Sequence, residues 1–373
     1  MRALLAALLL LAPAGPPTPL FRLHDPRLDE VSGIAAGIRS PGVVYVQNDS
    51  GDSARFFALD AHSGDVLAEY DVPGATNVDW EDIAVAPDAH GVPSVWLADI
   101  GDNGAQRRQI RLYRVAEPRV DTAARDRVLT TGPPQVWRLR YPDGAQDAES
   151  LAVTPAGVPY VFTKSLIGRT DVYAAPAQPG TATLRHIGSI SFGLTGTPGP
   201  FAPAGEVTAT GADISPDGTR LVVRTYTDAY LWTARGGDVA AALRTGPQRV
   251  PLPRQPQGEG VCFAGPRLLV DSETPGSAVY SVAVPAPPAT ASSPAAPGTA
   301  KPPGGSSAAS PASAASPASA ASPASATSPA HRATADGGGG RTWWPYAASL
   351  LLAGCLAAVV GVVRHRRRHG QLG

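Results

Sequence analysis

The sequence predicts an all-β fold, a β-propeller of four-stranded blades. Three observations predict it. A short phrase recurs five times, as Ser32-Gly33-Ile34-Ala35, Glu81-Asp82-Ile83-Ala84, Glu149-Ser150-Leu151-Ala152, Thr210-Gly211-Ala212-Asp213 and Glu259-Gly260-Val261-Cys262. The steps of roughly 50 to 70 residues suit a radial array rather than a small solenoid repeat. The intervals between copies are short β-branched and aromatic runs bounded by Gly, Pro, Asn and Asp, which read as strands.

The elements follow in order. Each copy opens on an inner strand that carries the phrase. A second strand follows a turn: 43–46, 94–97, 159–162, 220–223 and 267–270. A third strand reads as 55–59, 110–115, 171–173, 229–232 and 278–282. A fourth is visible at 66–70, 135–139 and 185–188. The last copy stops after three strands, and a spare strand, Leu20-Phe21-Arg22-Leu23, precedes the first. Pairing the spare strand with the last copy closes the ring and removes an aggregation-prone edge. The count gives five blades over 20–284. Segments 118–134 and 193–206 read as loops or as a degenerate sixth blade.

The ends carry targeting signals. Residues 1–14 read as a signal peptide, with Arg2, an apolar run from Ala3 to Ala12 and a small-x-small site at Ala12-Pro13-Ala14. Residues 285–340 form a Pro/Ala/Ser-rich stalk that lacks the apolar content to fold and reaches on the order of 150 Å if extended. Residues 343–363 match the ~20 apolar residues of a transmembrane helix, with Trp343, Trp344 and Tyr346 at its border. The tail 364–373 is basic, which places it in the cytoplasm and the bulk of the chain outside the cell membrane. The expected partners are thus the membrane, through that helix, and a surface ligand or protein. The net charge is zero, so nothing points to nucleic acid. The two cysteines, Cys262 and Cys355, fall in different compartments, the first in the exported domain and the second within the expected helix, so no disulfide between them is expected.

Ile214-Ser215-Pro216-Asp217-Gly218-Thr219-Arg220-Leu221 resembles the repeat phrase of TolB-type, WD40-like propellers. The stretches 47–52, 79–84 and 98–103 resemble actinobacterial secreted propellers, and the recurring Glu resembles phytase-like propellers. The resemblance implies the fold over 20–284. The phytase metal and phosphate motifs are not recognisable, so it implies no activity.

Two sets of residues carry candidate chemistry. The first is the phrase column itself. A propeller directs its inner strands along the axis, so Glu81, Glu149 and Glu259 would converge there as ligands for calcium, or as acceptors for neighbouring backbone. The second follows strand two: Asn48, Asp49, Asp99, Asp102, Lys164, Arg224, Asp271 and Glu273. Lys164 and Arg224 would suit an anionic group, and Asp49, Asp99, Asp102 and Asp271 a divalent ion; salt bridges between blades explain the same residues equally well. Nucleophile elbows, Cys-x-x-Cys pairs and nucleotide loops are absent from the sequence. The expected function is a membrane-anchored ligand-binding or protein-interaction module. The alternative is a metal-dependent, phytase-like phosphoesterase at the channel mouth.

Overall fold

The computed structural model describes residues 16–287. The chain opens with β1 (Thr18–Arg22). Blade one is β2 (Val31–Ala36), β3 (Val43–Asn48), β4 (Arg55–Asp60) and β5 (Val66–Asp71). Blade two begins with β6 (Trp80–Pro87), β7 (Pro93–Asp99) and β8 (Ile110–Ala116). After the short β9 (Arg127–Thr130) it is completed by β10 (Gln135–Arg140). Blade three is β11 (Ala148–Val153), β12 (Pro159–Thr163) and β13 (Arg169–Ala174), then β14 (Gly180–Thr183) intervenes before its outer strand β15 (Arg185–Ser191). Blade four is β16 (Ala209–Ile214), β17 (Arg220–Thr225), β18 (Asp228–Thr233) and β19 (Gln248–Pro251). Blade five is β20 (Val261–Ala264), β21 (Arg267–Val270) and β22 (Ala278–Ala283), with β1 as its outer strand.

The ring is therefore five-bladed and closed. The spare N-terminal strand pairs antiparallel with β22, Thr18 opposite Ser281 and Arg22 opposite Ala278. The inner strands β2, β6, β11, β16 and β20 pack side by side, and β20 returns to β2. The two segments that left room for a sixth blade have other uses. Within 118–134, β9 reaches back from blade two and runs parallel to β5 of blade one. Segment 193–206 is a loop ending in a short 3₁₀ turn at Ala204–Glu206. A second strap escaped the sequence reading: β14 leaves blade three and pairs parallel with β10 of blade two.

Each seam between blades has its own apolar core. Tyr45, Phe56, Trp80 and Tyr113 fill the seam of blades one and two. Trp96, Trp137, Leu151 and Tyr173 fill the next, with the two indoles 4.9 Å apart. Phe162, Phe192, Tyr230 and Trp232 lie between three and four. Val222, Leu231, Phe263 and Leu268 join four to five, and Phe21, Ile34, Phe57 and Leu269 join five to one. A fully buried aromatic of this kind contributes about 2–3 kcal/mol, so each seam holds without a disulfide. Cys262 is buried and free. Among the described residues no helix is long and apolar enough to cross a membrane. The expected leader 1–14, most of the stalk 285–340, the helix 343–363 and the tail 364–373 lie outside the described residues.

Candidate functional site: an acidic mouth on the propeller axis

The phrase column is built by a repeated defect in the inner strands. In blade one Val31 faces Asn48 and Gly33 faces Gln47, so Ser32 is an extra residue. The same shift leaves Glu81, Glu149 and Thr210 unpaired in blades two, three and four. A bulge bends its strand and re-aims the extra side chain. Four bulges at one level thus aim four column residues together, and Glu259 stands just before β20 at the matching place. All five are buried. The two hydroxyl members stitch blades to each other: Ser32 Oγ donates to the Glu81 carbonyl at 2.8 Å, and Thr210 Oγ1 to the Glu259 carbonyl at 2.9 Å.

One residue on, the column is Gly33, Asp82, Ser150, Gly211 and Gly260, and there the strands nearly touch. A Cβ at Gly33 would lie 2.8 Å from Asp82 Oδ1, and one at Gly260 would lie 2.6 Å from the Ile34 nitrogen. The Asp82 carboxylate accepts from the N–H groups of Ile83 and Leu151, both at 2.8 Å, and Ala212 at 3.4 Å. One carboxylate in blade two thereby ties blades three and four and blocks the axis. Burial pushes its pKa well above the ordinary carboxylate value, against those three donors. The mouth above this waist is a cup with a floor.

The rim of the cup is set by a second column. A backbone bond recurs from a residue one to three positions past strand two to the residue two before the phrase column. Asp49 donates to Glu30, Gly101 to Asp79, Lys164 to Asp147 and Glu273 to Gln257, at 2.9 to 3.1 Å. Tyr226 takes this place in blade four, next to Thr225, which faces Ala209. The mouth column is therefore Asp49, Gly101, Lys164, Tyr226 and Glu273. Asp49, Lys164 and Glu273 of the sequence set belong to it. Arg224, Asp271 and Asp99 do not: each sits two residues before the column position in its own blade, and Arg224 and Asp271 lie deeper, level with the waist glycines Gly211 and Gly260.

The displaced residues have evident work. Arg224 is fully buried between blades four and five. It donates to the carbonyls of Gly260 at 2.6 Å and Asp271 at 3.0 Å, and to Gln255 Oε1 at 2.8 Å. It is a strut, and the expected anion clamp of Lys164 with Arg224 does not form. The Asp271 carboxylate accepts from the Gly260 N–H at 2.6 Å, and burial raises its pKa to about 6. Asp99 is paired with Arg107 at 2.7 Å and with Arg111 at 3.7 Å. Asp102 accepts from the Arg107 N–H and gives its own N–H to Asp147. The metal set expected from Asp49, Asp99, Asp102 and Asp271 is thus dispersed.

A different acidic set assembles instead. Ligand oxygens of Asp49, Asp79 and Glu81 lie within 4.8 Å of one another. Gly101 makes the room: a Cβ there would collide with Glu81 Oε1 and lie 2.6 Å from Asp79 Oδ2. Glu81 has its pKa raised well above the usual range, first by burial, then by Glu149, Asp49 and Asp79. Glu149 accepts a short hydrogen bond from Lys164 Nζ, yet burial still raises it. Glu259 is raised by burial and by Glu149 and Glu273. Around Lys164 burial opposes the charge, but Glu149, Tyr226, Asp147 and Glu81 outweigh it and hold the ammonium well above its ordinary value. Lys164 is charged, and the acids around it outnumber it. Burial and Glu259 also keep the Tyr226 hydroxyl protonated, and its ring meets Phe201 of the 193–206 loop edge-on at 5.1 Å.

Asp79, Asp147 and Tyr226 were missed from sequence. The signal for the two acids was present: Asp79-Trp80-Glu81 and Asp147-Ala148-Glu149 repeat an Asp-x-Glu spacing. Alternation along a strand brings such a pair to one side.

No family model matches the sequence, and no curated protein is similar to it. Solved structures with some likeness include the PQQ-bound aldose sugar dehydrogenase of Streptomyces coelicolor, with 13% identity, a TM-score of 0.39, and coverage of 72% of this chain and 98% of that one. A gluconolactonase of Xanthomonas campestris has 14% identity, a TM-score of 0.39, and coverage of 74% and 99%. Sqt1 of Chaetomium thermophilum has 15% identity, a TM-score of 0.31, and coverage of 69% and 58%. The five-bladed assignment rests on the strand pairing itself.

Proposed function

We propose that this protein is a ligand-binding module displayed outside a cell membrane, and that its propeller mouth selects cations or cationic groups. The observation that carries the reading is the charge balance of the cup. Asp49, Asp79, Glu81, Asp147, Glu149, Glu259 and Glu273 are gathered by electrostatic contact around the single ammonium of Lys164. Burial and crowding hold Glu81, Asp147, Glu149 and Glu259 above their usual pKa, and an arriving positive charge relieves them together. Low-dielectric walls strengthen that attraction relative to open water.

Display is the part of this reading that sequence supplies. An exported leader at 1–14, a stalk over 285–340, a membrane helix at 343–363 and a basic inner tail at 364–373 would hold 20–284 clear of the lipid. Protease treatment of intact cells should remove the propeller and spare the tail. Protection of the propeller would sink the orientation.

The alternative of phosphoester hydrolysis needs cations aimed at an anion. Among the described residues of the mouth only Lys164 is placed to do that, since the Arg224 guanidinium is engaged between blades. The two readings separate on probes. With the full chain in detergent, 1,5-diaminopentane should bind in a salt-dependent manner, and Glu149→Gln should weaken it. Inorganic phosphate should not bind. Phosphate binding without diamine binding, or calcium-dependent turnover of p-nitrophenyl phosphate abolished by Lys164→Ala, would transfer the assignment to the hydrolase.

A further inference from the structure

We infer that the cup contains a calcium-class metal site formed by Asp49, Asp79 and Glu81, with Lys164 as a built-in competitor for the same negative field. The inference deepens the cation-selecting reading and rests on it.

The oxygen spacing comes first. Oxygens bound to one calcium at about 2.3–2.6 Å from the ion lie no farther apart than about 5 Å. The three carboxylates meet that limit, at 4.8 Å or less. They come from different elements that the fold forces together. Asp49 follows β3, Asp79 precedes β6, and Glu81 is the bulge residue within β6. Two of them face Gly101, the one mouth position without a side chain. An all-oxygen, carboxylate-rich set suits a hard divalent cation and not a soft one.

The second observation is independent of the triad. Buried polar atoms are almost always hydrogen-bonded, so those without a protein partner mark a place for something else. Glu259 is 3% exposed, and its Oε2 has no hydrogen-bond partner among the described residues. Its electrostatic neighbours are Glu149, Glu273 and Lys164, so it faces the cup. Gln47 is 0% exposed with both amide atoms unpartnered, again among the described residues. Alternation along the chain puts it on the side of β3 that carries Tyr45, which packs toward Trp80 and blade two. Glu259 shares Glu149 and Lys164 as neighbours with Glu81, so its unused acceptor stands in the same acidic cluster as the triad.

Lys164 sets the affinity. Its ammonium interacts with Glu149, Asp147 and Glu81 at once, and Glu81 is a proposed ligand. A divalent ion at the triad meets that positive charge across Glu81, so the lysine weakens metal binding and keeps the empty cup from carrying its full charge.

The experiment is titration of the full chain, stripped with chelator, with CaCl2 by calorimetry. Tb³⁺ luminescence sensitised by Trp80, which lies between Asp79 and Glu81 in sequence, gives a second readout. One calcium per chain is expected. Asp79→Asn and Glu81→Gln should each weaken it at least about tenfold, with unchanged melting in chelator as the check on folding. Lys164→Met should tighten it several-fold. Asp121→Asn, an exposed acid away from the mouth, should change nothing. Absence of binding in the wild type at about millimolar CaCl2, or wild-type affinity in both Asp79→Asn and Glu81→Gln, overturns the site. Weaker binding in Lys164→Met overturns the competitor role. Retained diamine binding in a chain that ignores calcium would end the metal inference and leave the cation-selecting mouth standing.

Discussion

Blades three and four each place a cation near the end of strand two, and they use it in opposite ways. Lys164 lies one residue past the partner of the bulge, faces the cup and keeps some exposure, 17% of its side chain. Arg224 lies one residue short of that partner, is fully buried, and donates to carbonyls of blade five. A shift of two residues separates a group that faces the mouth from one that holds the ring. The chemistry of the side chains fits the division. A planar guanidinium satisfies several fixed acceptors at once, while an ammonium on a flexible stem answers to a changing field.

Removing the strut is the strongest way to break that contrast. Arg224→Met strips three acceptors of their donor within a buried network. It should cost about 3–5 kcal/mol, or roughly 6–15 °C in Tm by calorimetry. A loss under about 2 °C would mean that Arg224 is not a strut. Next in size is Gly101→Ala, which puts a methyl group onto Glu81 and Asp79. Overpacking at this point should cost about 1–3 kcal/mol, measurable as a lower midpoint in urea. An unchanged midpoint would show that the two carboxylates can move aside.

The pH profile tests the floor beneath both cations. Burial raises Asp271 to about 6 and Asp213 to about 7, above the ordinary value of 3.8. A carboxyl whose folded pKa is raised holds its proton longer in the folded chain than in the unfolded one. Its contribution is complete below the unfolded pKa and is lost as pH rises through the folded pKa. Stability should therefore fall between about pH 4 and pH 7, lowering Tm by several degrees from pH 5 to pH 8. The acids with depressed values, Asp25, Asp88, Asp171, Glu206 and Asp217, act below that window and do not cancel the slope. Asp213→Asn should flatten it, and a profile that rises from pH 5 to pH 8 would contradict the burial of these groups. The smallest stability change belongs to Lys164→Met, about 1–2 kcal/mol. The acids it leaves behind take up protons in place of the lost ammonium. A larger loss than that of Arg224→Met would invert the comparison.

The fold was legible in the sequence because blades repeat. The five copies of the phrase, the strand runs and the unpaired 20–23 segment gave the count and the closure. The parallel straps β9 and β14 were not legible: they are four residues long, largely exposed, and take their pairing from a neighbouring blade. The same limit applied at the site. Glu81, Glu149, Glu259, Asp49 and Lys164 were readable as a column of like residues. Arg224 and Asp271 lie two residues deeper than the mouth column, level with Gly211 and Gly260, a depth set by strand register that leaves no mark in composition.

The closing blade has a consequence for how such a chain matures. Thr18 and Ser281 are ladder partners at opposite ends of the domain. A ring latched by its earliest and latest strands cannot shut until β22 has been made, because the last three strands of that blade are the last of the domain to arrive. Until then the four earlier sheets wait with their terminal seams open. The latch thus acts as a completeness check on the domain: only a chain made through Ala283 can hide its greasy flanks.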